Sequence, residues 1–399
     1  MAGGRDAAGL AVAGLSLIAV CYGLARFAYG LFVPVLREEL GLDGSTVGAI
    51  AATSYVGYCV AIVAATLLTA RYGARPVAVA AGVAATLGTA VIAVAGSAAV
   101  LAAGVVIAGS STGLASPPLA DAVARSVAPG RRDRVQTVVN AGTGLGVMVS
   151  GPVALLTQGS WRTAWWAFAV VAAVVTAWVA VAVPGRATAV TGAGAPQRPG
   201  LALPPGSARL MAAATSMGLA SAPVWTFGRD IAISTGDLGE RASTWLWIVL
   251  GAAGLLAAFT GHLIARTGLP SAWAGGMLAL SATTTAFAVA GQQAVLFGAA
   301  AVFGAVYIAL TGVLLVWGTL VHPAAPAVGV GVAFLMIAVG QGIGAPLTGA
   351  VSDLTTPRTT FLLAAVVAAA GAAVVPSRLP PRAPDARPRR QERQGKRSG

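Results

Sequence analysis

One arginine stands inside an otherwise apolar run. Residues 10–34 read as a single hydrophobic stretch with Arg26 near its middle, where insertion scales put the cost of an arginine at about 2.5–3.5 kcal/mol. A charge kept at that cost marks a functional candidate. Tyr22, Arg26 and Tyr29 are spaced i, i+4, i+7, so on an α-helix they share one face. A guanidinium between two phenol hydroxyls is an anion receptor, because its planar fork matches a carboxylate with two parallel hydrogen bonds. The competing reading is a structural arginine bonded to backbone carbonyls or to Asn140. Tyr58, Asn140, Trp225, Tyr307 and Gln341 also fall at the expected depth to line a solute cavity, since such sites combine apolar and aromatic walls with a few placed polar groups. Each of them, taken alone, also reads as a packing residue.

Other chemistry is scarce. No hydrophobic run carries a carboxylate at its centre, which argues against a cation/proton exchanger built on a central acid. Asp121 is expected to pair with Arg125 one turn on. Trp161, Trp165, Trp166, Trp245 and Trp247 crowd the predicted outer helix ends and suggest an aromatic belt. His262 and His322 are expected to face bulk water at inner helix ends. Cys21 and Cys59 have no metal or redox spacing and read as small buried residues. The chain has no Walker A sequence, no Cys/His cluster and no nucleophile elbow. No metal site, cofactor or enzymatic activity is expected.

The elements that must position these residues are membrane helices. The chain has 399 residues, 57% hydrophobic and 9% charged, and its mean hydropathy is +0.82. Soluble domains carry roughly 25% charged residues. About twelve apolar runs are long enough to cross a bilayer, from 10–34 to 359–376. They lack the period-2 alternation of a membrane barrel. The sequence is also written twice, with a period of about 195 residues. Arg71-Tyr72-Gly73 answers Arg266-Thr267-Gly268, Gly23-Leu24-Ala25 answers Gly218-Leu219-Ala220, and Gly151-Pro152 answers Ala345-Pro346 one residue out of step. Two similar halves of six helices, joined by a linker, predict a carrier whose halves rock about a central site.

The boundaries follow from composition. Residues 1–183 form the first six-helix bundle, and 184–208 a Pro/Gly-rich linker. Residues 209–376 form the second bundle, and 377–399 a basic tail expected to be disordered. Ser45-Thr46 and Ser243-Thr244 are candidate N-caps. Pro117-Pro118 and Pro223 are expected to bend or loosen their helices. Gly142, Gly144 and Gly146, and in the second half Gly340, Gly342 and Gly344, make matching small-residue faces that permit close helix approach, and they mark a candidate sliding surface between the halves. The net charge of +13 gathers in alternate segments: Arg71 and Arg75; Arg125, Arg131, Arg132 and Arg134; Arg186, Arg198 and Arg209; Arg266; and the tail. The intervening loops hold Glu38, Glu39, Asp43, Asp237, Glu240 and Asp353 and carry no such excess. This is the positive-inside pattern. It predicts cytoplasmic termini and an anionic lipid surface, rather than nucleic acid, as the partner of the basic tail.

The stretch from Val33 to Val79, with PVLREELGLDGSTVGAI and then ARYGARP, resembles the start of a major facilitator superfamily carrier. Arg71, Gly73 and Arg75 match that family's loop motif, but Ala70 stands where its aspartate belongs and Thr66 where its first glycine belongs. The second copy keeps Arg266 and Gly268, with Ala265 at the acid position. GTGLGVMVSGP, containing Gly151 and Pro152, is similar to the family's Gly-Pro motif. GLARFAYGLFVP resembles a bacterial subgroup, the YbfB/YjiJ-type permeases. The resemblance implies twelve helices in two parallel pseudo-symmetric bundles and a monomer in the bacterial cytoplasmic membrane. It also implies alternating access for a small solute, with a proton as candidate coupling ion. In the family the missing acid helps lock one conformation, so that lock is in doubt here. Cargo classes left open are an organic anion at Arg26 and a hydrophobic, antibiotic-like compound in an aromatic cavity. A non-transporting membrane sensor or enzyme is the reading from another class.

Overall fold

The computed structural model describes residues 2–157, 160–185, 204–234, 236–323 and 326–376. Most of the expected linker (186–203) and the whole tail (377–399) lie outside the described residues. Twelve helical rods make up the described chain, and it contains no strand. α1 runs from Ala2–Ile18 through a π-helical stretch, Ala19–Phe27, into Ala28–Leu40. There follow α2 (Gly44–Tyr72), α3 (Ala74–Ala93), α4 (Ala98–Ser126), α5 (Pro129–Leu156) and α6 (Trp161–Ala182). The second half holds α7 (Ser207–Ser234), α8 (Glu240–Gly254, continuing through a 3-10 turn Leu255–Phe259 into Thr260–Thr267), α9 (Leu269–Val289), α10 (Gln293–Val321), α11 (Pro326–Leu354) and α12 (Pro357–Gly371). Ten of these rods are long and apolar enough to cross a membrane. The others are α7, which carries Arg229 and Asp230 near its end, and α12, which has only 15 residues.

The duplication in sequence is a duplication in packing. In the first bundle α2 packs on α4, α3 on α4 and α6, and α1 on α5; in the second α8 packs on α10, α9 on α10 and α12, and α7 on α11. Between the bundles α2 meets α11 and α5 meets α8, a pair that the internal two-fold exchanges, while α1 meets α7. Gly73 and Gly268 end α2 and α8 at φ 90° and 78°. A side chain is strained there and glycine is not, which explains why a glycine recurs at this position.

Several local expectations are corrected. α2 is capped by Asp43, whose carboxylate accepts from the Thr46 amide at 2.7 Å. The Thr46 hydroxyl, together with that amide, holds the Asp43 carboxyl below its usual range. The cap residue of α8 is Gly239, and Ser243 lies inside the helix. Pro117, Pro118 and Pro223 sit within unbroken helices, because tightly packed neighbours in a membrane bundle compensate the lost backbone bond. Of the tryptophans expected in an aromatic belt, Trp166 and Trp245 are half exposed. Trp161, Trp165 and Trp247 are buried instead. Glu39 takes the indole of Trp161 and the guanidinium of Arg162, tying α1 to α6. His322 is buried, with Nε2 3.4 Å from the Ser207 hydroxyl, while His262 is exposed. Asp121 and Arg125 pair at 2.8 Å as expected.

The glycine faces divide by parity. A Cβ on Gly142 or Gly146 would strike the backbone of Leu15 or Ala19 in α1; one on Gly340 or Gly344 would strike Thr215 or Leu219 in α7. Both pairs therefore seal helices within a bundle. The intervening Gly144 and Gly342 face the other half, against Gly251 and Tyr55 respectively, as Gly151 does against Ile248.

Candidate functional site

Arg26 lies in the π-helical stretch of α1, 8% exposed, at the meeting of the two bundles. Its Nη2 donates to Gln341 Oε1 of α11 at 2.7 Å. The guanidinium carbon lies 4.6 Å from the Tyr55 ring centre, 4.9 Å from Phe27, 5.0 Å from Tyr58 and 6.0 Å from Tyr22. Contacts of this kind are worth about 0.5–2 kcal/mol each when desolvated, and together they offset much of the cost of burying the charge. No carboxylate pairs with Arg26 among the described residues, and its Nε is buried without a partner. The result is a cation held by π-faces and one neutral amide.

Gln341 is fully buried and donates from Nε2 to the Tyr307 hydroxyl at 3.0 Å and to Ser221 Oγ at 3.3 Å. Phe27 stacks on Trp225 with ring centres 4.0 Å apart, and Trp225 meets Tyr307 and Trp247 edge-on. A cleft of about 590 Å³ of atom-free space, counting its open mouth, adjoins this cluster. Its deep wall contains Tyr22, Arg26, Phe27, Tyr58, Tyr307 and Gln341; toward the arginine-bearing helix ends it is lined by Ile18, Asn140, Thr143 and Phe334.

Of the residues singled out from sequence, the cleft thus brings together Tyr22, Arg26, Tyr58, Asn140, Tyr307 and Gln341. Trp225 stands behind Phe27 and Tyr307. Tyr29 is turned away and donates to the Val47 carbonyl at 3.1 Å. The π-helical stretch is the reason: its wider turn shifts the helical phase, so Tyr29 no longer shares the face of Tyr22 and Arg26. Tyr22 instead meets Ser116 Oγ at 2.8 Å. Asn140 is bonded to Gln136 on its own helix and not to Arg26. Sequence reasoning passed over Tyr55, Phe27, Ser116 and Ser221. Tyr55 precedes Tyr58 by three positions, a spacing that could have paired them on one face.

Described contacts join the two bundles at the end carrying Glu38, Asp43, Asp230 and Asp353. There Arg37 pairs with Asp230 at 2.6 Å, and buried Arg229 donates to the Leu31 carbonyl at 2.6 Å. Asp353 accepts from the amides of Gly44 and Ser45 at 3.0 and 2.7 Å, so the end of α11 caps the start of α2 in the other half. At the opposite end the loop residues Arg71, Arg75 and Arg266 are exposed; Arg75 Nε reaches the Val183 carbonyl of its own half at 2.7 Å. Ala70, at the missing acid, is exposed there too. The last stretch of α8, Thr260–Thr267, packs mainly on α9 and α10 of its own bundle. The cap at Asp353 is testable. Asp353→Ala is expected to speed amide exchange at Gly44 and Ser45 about fivefold, matching the ~1 kcal/mol typical of a lost cap, as read by hydrogen-exchange mass spectrometry.

A family model described as Major Facilitator Superfamily matches residues 15–227. The chain belongs to that superfamily. Its fold is also that of solved transporters. A bacterial homologue of the human lysosomal transporter Spinster, inward-facing and unoccupied, is 14% identical with a TM-score of 0.75, covering 92% of this chain and 96% of the other. A mutant of the nucleoside transporter NupG is 14% identical, with a TM-score of 0.73 over 91% and 98%. A mutant of the peptide transporter POT is 17% identical, with a TM-score of 0.71 over 93% and 93%. A comparison with curated protein sequences gives no match. The protein is therefore a multi-pass membrane protein of a solute-transporter family and not an enzyme.

Proposed function

We propose that this superfamily member is a secondary carrier for small organic anions, in the first place monocarboxylates with an aromatic or apolar body. One observation carries the reading: a buried guanidinium without a carboxylate partner among the described residues, at the deep end of a cleft. A carboxylate there would gain two charge-assisted hydrogen bonds from the fork, and its body would rest on Tyr22, Phe27, Tyr58 and Tyr307. The polar residues at the mouth, Asn140 and Thr143, would give the solute a wetted approach. Binding energy then shifts a carrier only insofar as it differs between the two facing states.

Alternating access fits the asymmetry between the ends. With the arginine-rich loops read as cytoplasmic by the positive-inside pattern, the open end and both termini face the cytoplasm, in the cytoplasmic membrane of a bacterium. This arrangement is inward-facing. The likeness to the inward-facing Spinster homologue supports that reading. A proton is the candidate coupling ion. No carboxylate lines the cleft among the described residues, so a proton would travel on the solute's own carboxyl or act at Asp230, which the closed end would expose on opening. Reporter fusions test the topology: a reporter on the C-terminus is expected to read as cytoplasmic, and an outside reading would sink the two-times-six arrangement.

The substrate class is tested by thermal stability of the purified protein, since a ligand that binds only the folded state raises it. Small carboxylic acids are expected to stabilise the protein where their neutral amides do not. Stabilisation by neutral apolar compounds alone would replace this reading with an exporter of hydrophobic solutes.

A further inference from the structure

The bond between Arg26 and Gln341 joins two residues 315 positions apart, one on α1 and one on α11. It is a polar tie between the bundles at the depth of the cleft, and both partners line that cleft. We propose that Gln341 is an internal stand-in for the solute: its amide oxygen occupies the Arg26 fork while the site is empty, and an arriving carboxylate displaces it. The inference rests on the reading of Arg26 as an anion receptor and assigns Gln341 a role other than that of a solute ligand.

Three features support displacement. The first is orientation. Arginine has only donors, so the Gln341 oxygen must face Arg26 and its NH2 must face its own bundle, where Tyr307 and Ser221 accept. Ser221 spends its hydroxyl proton on the Gly218 carbonyl at 3.1 Å and so meets Gln341 as an acceptor. The amide is therefore aimed across the interface by groups that stay with the second bundle. The second is mismatch. A single neutral oxygen meets one nitrogen of the fork and leaves Nε unpartnered, whereas a carboxylate supplies two charged oxygens and bonds of roughly twice the strength. The third is location. Arg26 and Gln341 line the same cleft, so a carboxylate that binds the fork there meets Gln341. Exchange of one for the other removes a tie between α1 and α11, so loading itself frees the bundles to move. Gln341 is a positioning residue in this scheme, setting which solutes are acidic enough to compete.

Benzoate is the probe, with benzamide as its neutral control, on the purified full-length chain. Gln341→Leu keeps the volume and removes the competitor; the benzoate concentration giving half-maximal thermal stabilisation is expected to fall about tenfold against wild type. Gln341→Glu installs a permanent carboxylate beside Arg26 and is expected to raise the melting temperature without benzoate and to abolish the response to it. If Gln341→Leu folds poorly, Gln341→Asn, which retracts the amide by one methylene, carries the same prediction of tighter binding. Weaker benzoate binding in Gln341→Leu or Gln341→Asn, or binding unchanged while Arg26→Ala abolishes it, would overturn the stand-in and leave the anion receptor intact. Benzoate stabilisation that persists in Arg26→Ala, or its absence from every variant, would overturn the anion reading itself and the stand-in with it.

Discussion

Arg26→Ala is expected to abolish saturable transport in proteoliposomes while the protein still inserts and purifies as a monodisperse species. Truncating one partner of a buried, hydrogen-bonded charge pair costs on the order of 2–5 kcal/mol, so affinity for an anionic solute is expected to drop between about 30-fold and a few thousand-fold. Removing the arginine lowers the cost of membrane insertion, so lost insertion is not the expected cause. Arg26→Lys is expected to recover little, because an ammonium cannot reproduce the planar fork and stacks less well among Tyr55, Phe27 and Tyr58. A purely structural arginine predicts a different pattern: Arg26→Ala would melt at lower temperature with or without solute. Wild-type transport by a well-folded Arg26→Ala protein would leave an apolar-solute exporter as the better account.

The second large effect is expected at Gly48. A Cβ at this position would lie 2.4 Å from the Ala345 carbonyl and 2.9 Å from Pro346 Cα, both on α11 in the opposite bundle. Gly48→Val therefore wedges the closed end without invading its own bundle. Overpacking costs typically 1–3 kcal/mol, enough to move a two-state balance by about 5–150-fold, here toward the state open at the acidic end. Ala51→Cys on α2 reports the change, since Ala51 is 4% exposed and lies one turn from both Gly48 and Tyr55, which meet α11. In a background lacking Cys21 and Cys59, its reaction with a membrane-impermeant maleimide is expected to quicken at least about tenfold when Gly48→Val is added, with net transport lost. Gly146 serves as the contrast. Its Cβ would lie 2.1 Å from the Ala19 carbonyl within the same bundle, so Gly146→Val is expected to damage folding itself. Equal labelling with and without Gly48→Val would show that the seam at α2 and α11 does not control opening.

What could be read from the sequence was what depends on one dimension. Hydropathy over about 20 residues locates a helix that must satisfy its own backbone in lipid. Twelve rods, their division into two sixes and the recurring Arg-x-Gly ends came from that and from the period of the repeat. Charge by loop is equally local, and so is the oddity of an arginine at Arg26. The tertiary structure decided everything that depends on helix phase and on which bundle lies opposite. A π-helical stretch turned Tyr29 from the face of Arg26 to the carbonyl of Val47. Parity along α5 and α11 sent Gly142 and Gly340 into their own bundles and Gly144 and Gly342 toward the other. The partner of Arg26 proved to be Gln341, not Asn140, and the acids of the loops proved to be a seam between halves, Arg37 to Asp230 and Asp353 to Gly44. None of these pairings has a sequence period. They are set by where two nearly rigid bodies touch, and a rotation of one helix by a single residue, about 100°, replaces every neighbour that a side chain meets.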